Sequence, residues 1–94
     1  MSMICNVVLS RRAMKELRKV PDYIADKLMT WIAAVEKFGL EEVRRIPGYH
    51  DEPLNGKREG LRSIRLSRAY RAYYKIVDGE VEFVSVEGVD KHEY

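Results

Sequence analysis

The sequence predicts an α+β domain, with a two-helix hairpin packed on one face of a twisted antiparallel sheet, in the order β-α-α-β-β-β. Three observations lead to this prediction: apolar residues recur at helical spacing in the first half, they alternate with polar residues in the second half, and an Asp-Gly pair separates two strand-like segments. The 94 residues suffice for one modest core, so we expect a single domain over residues 1–94.

The first half predicts one strand and two helices. Residues 3–9, MICNVVL, form an apolar run rich in β-branched residues, which is typical of a strand. Ser10 is a suitable N-cap for the first helix, and Pro21 is expected to end it. A second helix begins near Asp22 with its apolar residues on one face, and Gly39 is a plausible C-cap.

The second half predicts a loop and three strands. The segment 47–60, PGYHDEPLNGKREG, holds two prolines and three glycines in fourteen residues, which is typical of a loop. From Leu61 the residues alternate, so one face of the strand pair is expected to be buried and the other polar. Asp78-Gly79 predicts a tight hairpin because both positions tolerate positive φ, and residues 80–89 form the last strand. The residues predicted to be buried are Ile64, Leu66, Tyr70, Ala72, Tyr74 and Ile76, and those predicted on the polar face are Arg65, Arg71 and Lys75.

Positive charge is concentrated in one part of the chain. The net charge is only +2, but residues 55–76 hold seven Lys or Arg against one acid. Such a segment indicates a local anion site, with nucleic acid or a phosphate-bearing ligand as the first candidate. Arginines that project the same way from neighbouring strands can clamp a phosphate. The alternative is an ordinary solvated face with arginines paired to Glu82 or Glu87, and composition does not decide between the two.

Several other kinds of site are not supported by the sequence. One cysteine and two histidines, 42 positions apart, do not form a closed zinc site, so neither a metal nor a cofactor is expected. Phosphate-binding loops, nucleophile elbows and DNA-reading modules have no matching motif. No run approaches the ~18 apolar residues of a membrane span, and the N-terminus lacks the pattern of a secretory signal, so we expect a cytoplasmic protein without membrane contact.

The closing residues contain a second candidate for chemistry. His92 follows Lys91 and stands two positions before the aromatic Tyr94. A histidine titrates near neutrality and can give or take a proton at physiological pH. A histidine in a frayed terminal segment is the alternative interpretation.

Together these segments resemble the RelE/ParE toxin superfamily, and most closely the ribosome-dependent mRNA interferases of the RelE, YoeB and HigB type. The resemblance rests on EPLNG at residues 52–56, RSIRLSRAYRAYYKI at residues 62–76, the Asp-Gly hairpin and the terminal KHEY. It spans the whole chain and is sharpest from His50 to Tyr94.

The resemblance implies a toxin of a bacterial type II toxin–antitoxin system, neutralised by its cognate antitoxin protein. Its partners would be the ribosome and the mRNA, which it would cut in the ribosomal A site without a metal. The ribose 2′-hydroxyl would attack the adjacent 3′ phosphate. The resemblance also implies that the toxin–antitoxin complex contacts operator DNA through the antitoxin.

The resemblance also assigns roles to particular residues. Glu52 matches the general base of YoeB-type chains. Arg65 and Arg71 match the basic residues that hold and neutralise the scissile phosphate. His92 matches a terminal histidine that acts as acid, and Tyr94 matches a terminal tyrosine that orients the substrate. Weaker candidates for RNA contacts are Arg62, Lys75 and Lys91.

Two alternatives to the nuclease remain open at this stage. A ParE-like toxin would share the fold but act on DNA gyrase without cutting RNA, and a non-toxic relative would only bind through its basic face. ParE-type chains generally lack the loop glutamate and the terminal His/Tyr, which favours the nuclease. One departure affects the mechanism: RelE carries a pair of lysines on the strand where this chain has only Arg65 clearly placed.

Overall fold

A computed structural model describes residues 3–88 of the chain, as a five-stranded sheet with a layer of helices on one face. The strands are β1 (Asn6–Leu9), β2 (Glu52–Pro53), β3 (Arg62–Arg65), β4 (Tyr70–Val77) and β5 (Glu80–Gly88), in the spatial order β1-β5-β4-β3-β2. The helices are α1 (Arg11–Leu17), α2 (Asp22–Phe38) and α3 (Leu40–Arg44), with 3₁₀ turns at Pro47–Tyr49 and Gly56–Arg58. Within residues 3–88, no helix combines the length and the apolarity needed to cross a membrane.

This architecture confirms the predicted α+β class and adds one short strand, β2, to the predicted elements. Helix α3 falls within residues 40–46, whose sequence allows a further helical turn. The pairing of β1 differs from the expected antiparallel sheet, because β1 runs parallel to β5. The cause lies in the chain that follows: α1 continues beside the second half of β5, where the Glu16 carboxylate accepts the Val86 backbone N–H at 2.8 Å. A strand that leads directly into α1 must therefore run in the direction of β5.

The predicted start of α1 and both predicted ends of α2 are confirmed, whereas α1 ends at Leu17, four positions before Pro21. The Ser10 hydroxyl accepts the Ala13 backbone N–H at 3.0 Å, which satisfies one of the free donors of the first turn of α1. Gly39 lies at φ 88°, a conformation that favours glycine, and separates α2 from α3. The next backbone N–H, that of Leu40, donates to the Ile4 carbonyl at 2.8 Å and ties this corner to the segment that precedes β1.

The core lies between the helices and the inner face of the sheet. At its centre Trp31 of α2 packs on Tyr74 and Phe83, with ring centroids 5.4 and 5.2 Å away. The predicted burial of Ile64, Leu66, Ala72 and Tyr74 is confirmed. The prediction for Ile76 is wrong, since its side chain is 42% exposed. Alternation places Ile76 on the inner face of the sheet, but the helices do not cover this end of β4. Tyr70, at the other end of β4, is only partly buried.

The last two strands form a hairpin with a bulge. Asp78 and Gly79 lie at φ 52° and 79°, as the Asp-Gly pair predicts. Further along, Tyr73 pairs with Ser85 whereas Tyr74 pairs with Phe83, so Val84 is an extra residue in β5. A bulge of this kind reverses the alternation of side chains beyond it.

Candidate functional site

The sheet surface opposite the helices, which we call the open face, carries the predicted basic residues. Ile64 and Ala72 pair across β3 and β4 and are fully buried in the core, so their neighbours project to the other side. The register gives two rows across this face. The first row is Arg65, Arg71 and Glu87, and the second is Glu52, Ser63, Tyr73 and Ser85.

Arg65 and Arg71 stand directly opposite each other on β3 and β4. Residues in such a pair have Cβ atoms about 5 Å apart, and like charges at this distance destabilise a sheet. Within residues 3–88, neither guanidinium makes a salt bridge. This arginine pair therefore presents concentrated positive charge that a bound anion would neutralise.

Glu52 is brought to the same face by β2. It pairs with Ser63 and is exposed, so it lies one strand away from Arg65 on the diagonal, at roughly 7–8 Å. Ser63 itself is 1% exposed, and its hydroxyl finds no hydrogen-bond partner among the described residues. The residues predicted as base and phosphate clamp thus share one surface.

A buried ionic network holds the segment that carries Glu52. The Asp51 side chain is fully buried, accepts the Arg62 Nε–H at 2.7 Å and accepts the Tyr74 hydroxyl at 2.6 Å. Burial raises the pKa of the Tyr74 hydroxyl, and the hydrogen bond to Asp51 raises it further. For Arg62, burial would lower the pKa, but the bond and charge of Asp51 outweigh it and raise the pKa. Arg62 pairs with Tyr74 in the register and so lies on the inner side, apart from the open face.

A second cluster lies on the open face, and its central residue, Arg58, was not predicted. The Arg58 guanidinium lies over the Tyr73 ring, 4.5 Å from its centroid, and Nη2 donates to Glu87 Oε1 at 3.1 Å. Ser85 Oγ donates to Glu87 Oε2 at 2.9 Å, and Arg12 approaches the same oxygen at 3.6 Å. Arg58 stands in the GKREG loop, where no period in the sequence indicates which way a side chain points.

The charges of this cluster reinforce one another. Partial burial would raise the pKa of Glu87, but the hydrogen bonds from Arg58 and Ser85, with the charges of Arg58 and Arg12, lower it overall. Glu87 in turn raises the pKa of Arg58. The expected pairing of Glu87 with a basic residue thus occurs, but with Arg58 and Arg12 rather than with Arg65 or Arg71.

The remaining predicted residues have two different outcomes. Lys75 lies on the open face opposite Glu82. Lys91, His92 and Tyr94 lie outside the described residues. Between residues 3 and 88, no group of three or more His, Cys, Asp or Glu side chains is gathered where a metal ion could bind.

Two cavities lie away from the arginine pair. One of about 420 Å³ is bounded by Met3, Phe38 and Leu40 among others, at the corner between β1 and α3. Another of about 280 Å³ is bounded by Pro53, Gly60, Leu61, Arg62 and Ile76. Neither Arg65 nor Arg71 lines either of these two cavities.

The fold is shared with solved toxin structures. YafQ from Escherichia coli superposes with a TM-score of 0.72 at 18% identity, covering 88% of this chain and 91% of YafQ. RelE in the archaeal RelE–RelB complex from Pyrococcus horikoshii gives 0.70 at 19% identity, covering 95% and 99%. The toxin–antitoxin complex RelBE2 from Mycobacterium tuberculosis gives 0.59 at 26% identity, covering 95% of each chain. These likenesses define the class of the fold as that of RelE-like toxins.

The family follows from the sequence itself. The model of the ParE toxin of type II toxin–antitoxin systems matches residues 7–92, and the chain belongs to this family. It is therefore a toxin of a type II toxin–antitoxin system. A search among curated proteins found no match to the chain.

Proposed function

We propose that this toxin is a ribosome-dependent endoribonuclease that cuts mRNA in the A site. The observation that carries the proposal is the arginine pair: Arg65 and Arg71 stand side by side on the open face, with Glu52 on the same surface. Two adjacent guanidinium groups match a phosphate diester, whose charge increases in the pentavalent transition state. The open face of the sheet, opposite the helices, is the side from which an mRNA held by the ribosome could approach these residues.

The chemistry needs a base, cations and an acid. The base takes the proton of the 2′-hydroxyl, and the 2′ oxygen bonds to the adjacent phosphorus. The bond from phosphorus to the 5′ oxygen breaks, that oxygen receives a proton, and a 2′,3′-cyclic phosphate and a free 5′-hydroxyl remain. Glu52 is the candidate base, and Arg65 and Arg71 neutralise the added charge on phosphorus.

The terminal residues complete this proposal. His92 is the candidate acid for the departing 5′ oxygen, Tyr94 the candidate for orienting the substrate, and Lys91 a further phosphate contact. Lys75, opposite Glu82 on the open face, is a phosphate contact of the same kind. Arg62 was also a candidate for RNA contact, but its pairing with Asp51 favours a structural role.

We also propose the partners and the compartment. The cognate antitoxin would neutralise the toxin, in line with the RelBE2 and RelE–RelB complexes to which the fold is similar. The toxin–antitoxin complex would contact operator DNA through the antitoxin. The toxin would act in the cytoplasm, where its target, the translating ribosome, is found.

A ParE-like activity is the second candidate. The observation in its favour is that the matching family is named for ParE, the toxin of the parDE system. A toxin of that kind would act on DNA gyrase and leave messages intact. The arginine pair and Glu52 favour the nuclease because gyrase inhibition needs no group that binds a scissile phosphate.

Induced expression in bacteria separates these candidates. We expect growth arrest with cleaved messages from the wild-type chain, and no arrest from Arg71→Ala at equal protein level. Arrest with an SOS response and intact messages would establish the gyrase activity instead, and absence of arrest would leave only a binding role. Arg45→Ala, which removes an exposed arginine beside α3, is the matched control and should arrest growth like the wild type.

A further inference from the structure

Arg58 lies in a loop between two glycines, yet its side chain is held by two contacts. Its guanidinium rests on the Tyr73 ring at 4.5 Å and is fixed at one edge by Glu87 Oε1 at 3.1 Å. Nevertheless 46% of the side chain is exposed. Since the Tyr73 ring lies on one side of the guanidinium and the Glu87 carboxylate binds one of its nitrogens, the side turned away from the ring is the part available to a ligand.

Glu87 is itself held in place from two sides. Ser85 Oγ donates to Oε2 at 2.9 Å, and Arg12 of α1 reaches the same oxygen at 3.6 Å. Arg12 is in turn bound to Glu16 at 3.0 Å. The carboxylate that binds Arg58 is therefore connected to the helix layer, and Arg58 is held between this carboxylate and the Tyr73 ring.

The Arg58 plane lies beside the arginine pair. Glu87 is directly opposite Arg71 in the register, and Tyr73 is two residues from Arg71 along β4, a distance of about 7 Å. A nucleotide whose phosphate is held by Arg65 and Arg71 therefore has its own base, or that of its neighbour, within reach of Arg58. Unpaired RNA bases commonly stack on arginine planes and aromatic rings.

We infer that Arg58, held over the Tyr73 ring by Glu87, is a substrate-binding residue that stacks on a nucleobase of the mRNA next to the cleaved bond. This rests on the proposed function and adds a base-recognition surface to the phosphate clamp. Stacking requires the planar guanidinium group, not only its positive charge. Lysine keeps the charge but ends in a compact ammonium group that cannot stack, so Arg58→Lys distinguishes stacking from charge attraction alone.

The experiment measures binding of the toxin to purified ribosomes programmed with an mRNA that it cannot cut. The mRNA carries 2-aminopurine in the A-site codon, whose fluorescence responds to stacking, and a 2′-deoxyribose at the cleaved nucleotide. We expect Arg58→Ala and Arg58→Lys each to weaken binding about tenfold and to lose the fluorescence change, the scale of one lost stacked base. Glu87→Gln keeps Arg58 but loosens its alignment and should give a smaller loss.

A second readout and a matched control sharpen the test. With a cleavable mRNA, Arg58→Ala should raise the half-saturating toxin concentration while the single-turnover rate at saturation stays within about twofold. Arg45→Ala and Arg45→Lys make the same changes at an exposed arginine paired with Glu42 and should behave as wild type.

Two results would overturn the inference while leaving the nuclease intact: wild-type binding by Arg58→Ala, or rescue of binding and fluorescence by Arg58→Lys. A wild-type toxin that neither binds nor cuts on programmed ribosomes would instead refute the proposed function, and the inference with it. Thermal unfolding identifies any variant that fails to fold. Arg58→Lys and Glu87→Gln keep polar side chains of similar size, so they test the inference even if Arg58→Ala does not fold.

Discussion

The Asp51 carboxylate holds two parts of the candidate site together. It is fully buried, bonds Arg62 of β3 and Tyr74 of β4, and immediately precedes Glu52. A buried carboxylate without partners would be costly, but here both oxygens accept short hydrogen bonds. The network therefore fixes where β2 starts and hence where Glu52 stands on the open face.

Replacing Asp51 by Asn should destabilise the fold and disturb the site. The substitution leaves the Arg62 charge, 20% exposed, without its counter-ion, and we expect a loss of about 3 kcal/mol in the free energy of unfolding by urea. Glu42→Gln breaks the exposed Arg45–Glu42 pair and should cost less than about 1 kcal/mol. Equal effects of the two substitutions would show that the Asp51 network contributes no more than a surface pair.

Glu87 makes stability depend on pH in a predictable direction. Its pKa is lower in the folded chain than the usual 4.5, so the ionised form favours folding. That contribution is fully present above the usual pKa and is lost as the pH falls through the lowered value.

Glu87→Gln removes this contribution at neutral pH. We therefore expect the variant to be less stable than the wild type near pH 7, and the difference to shrink once the pH falls below the usual pKa of 4.5. Urea unfolding of both chains over the acid range measures it. A difference that stays constant over this range would contradict the ionic role of Glu87.

Among the elements, the β5 bulge decides which side chains reach the open face. Before Val84, Val81 and Phe83 point into the core, and unbroken alternation would send Ser85 and Glu87 there as well. The extra residue moves both to the open face, where Glu87 meets Arg58. Ser10 supports the bulge, since its backbone N–H donates to the Phe83 carbonyl at 2.9 Å and its hydroxyl to the Val84 carbonyl at 3.1 Å.

Ser10→Ala should weaken both the bulge and the start of α1. It removes the cap on Ala13 and the bond to Val84, and we expect a loss of about 1–2 kcal/mol in the free energy of unfolding. Hydrogen exchange at the amides of residues 84–86 should accelerate as well. Ser10→Thr keeps the hydroxyl and should stay close to wild type. If both variants unfold alike, the hydroxyl is not what holds this junction.

Some of these elements could be predicted from the sequence and others could not. The regular strands β3 and β4 could be predicted from alternation, and the helix ends from Ser10 and Gly39, because each signal is local. The direction of β1 could not, since it depends on where α1 lies against β5. The β5 bulge has no sequence signal of its own, and Ile76 follows the pattern of a core residue at a point where no helix covers the sheet.

The residues of the candidate site also differ in whether the sequence indicated them. Alternation placed Arg65 and Arg71 on the open face, and only the resemblance to the interferases indicated Glu52. Arg58 was missed because its role arises from a loop folding over β4 and β5, which brings together residues 29 positions apart.

Across the whole molecule, the residues that form the core and the residues of the proposed site lie on opposite faces of the sheet. One face meets the helices through Trp31, Tyr74 and Phe83, and the other carries the arginine pair, Glu52 and the Arg58 cluster. Substitutions on the open face can therefore change activity without removing a side chain from the core. The concentrated positive charge of residues 55–76 belongs to several sets: Arg62 to the Asp51 network, Arg58 to Tyr73 and Glu87, and Arg65 with Arg71 to the proposed clamp.

The central claim is tested most directly by single-turnover cleavage of mRNA on purified, programmed ribosomes, with wild-type, Arg71→Ala and Arg45→Ala toxins. We expect the wild type and Arg45→Ala to leave a 2′,3′-cyclic phosphate at equal rates, and Arg71→Ala to be slower by about 100-fold or more, as for loss of one group that stabilises transition-state charge. Cleavage by Arg71→Ala at the wild-type rate, or no cleavage by the wild type, would contradict the claim that this face is a ribonuclease site.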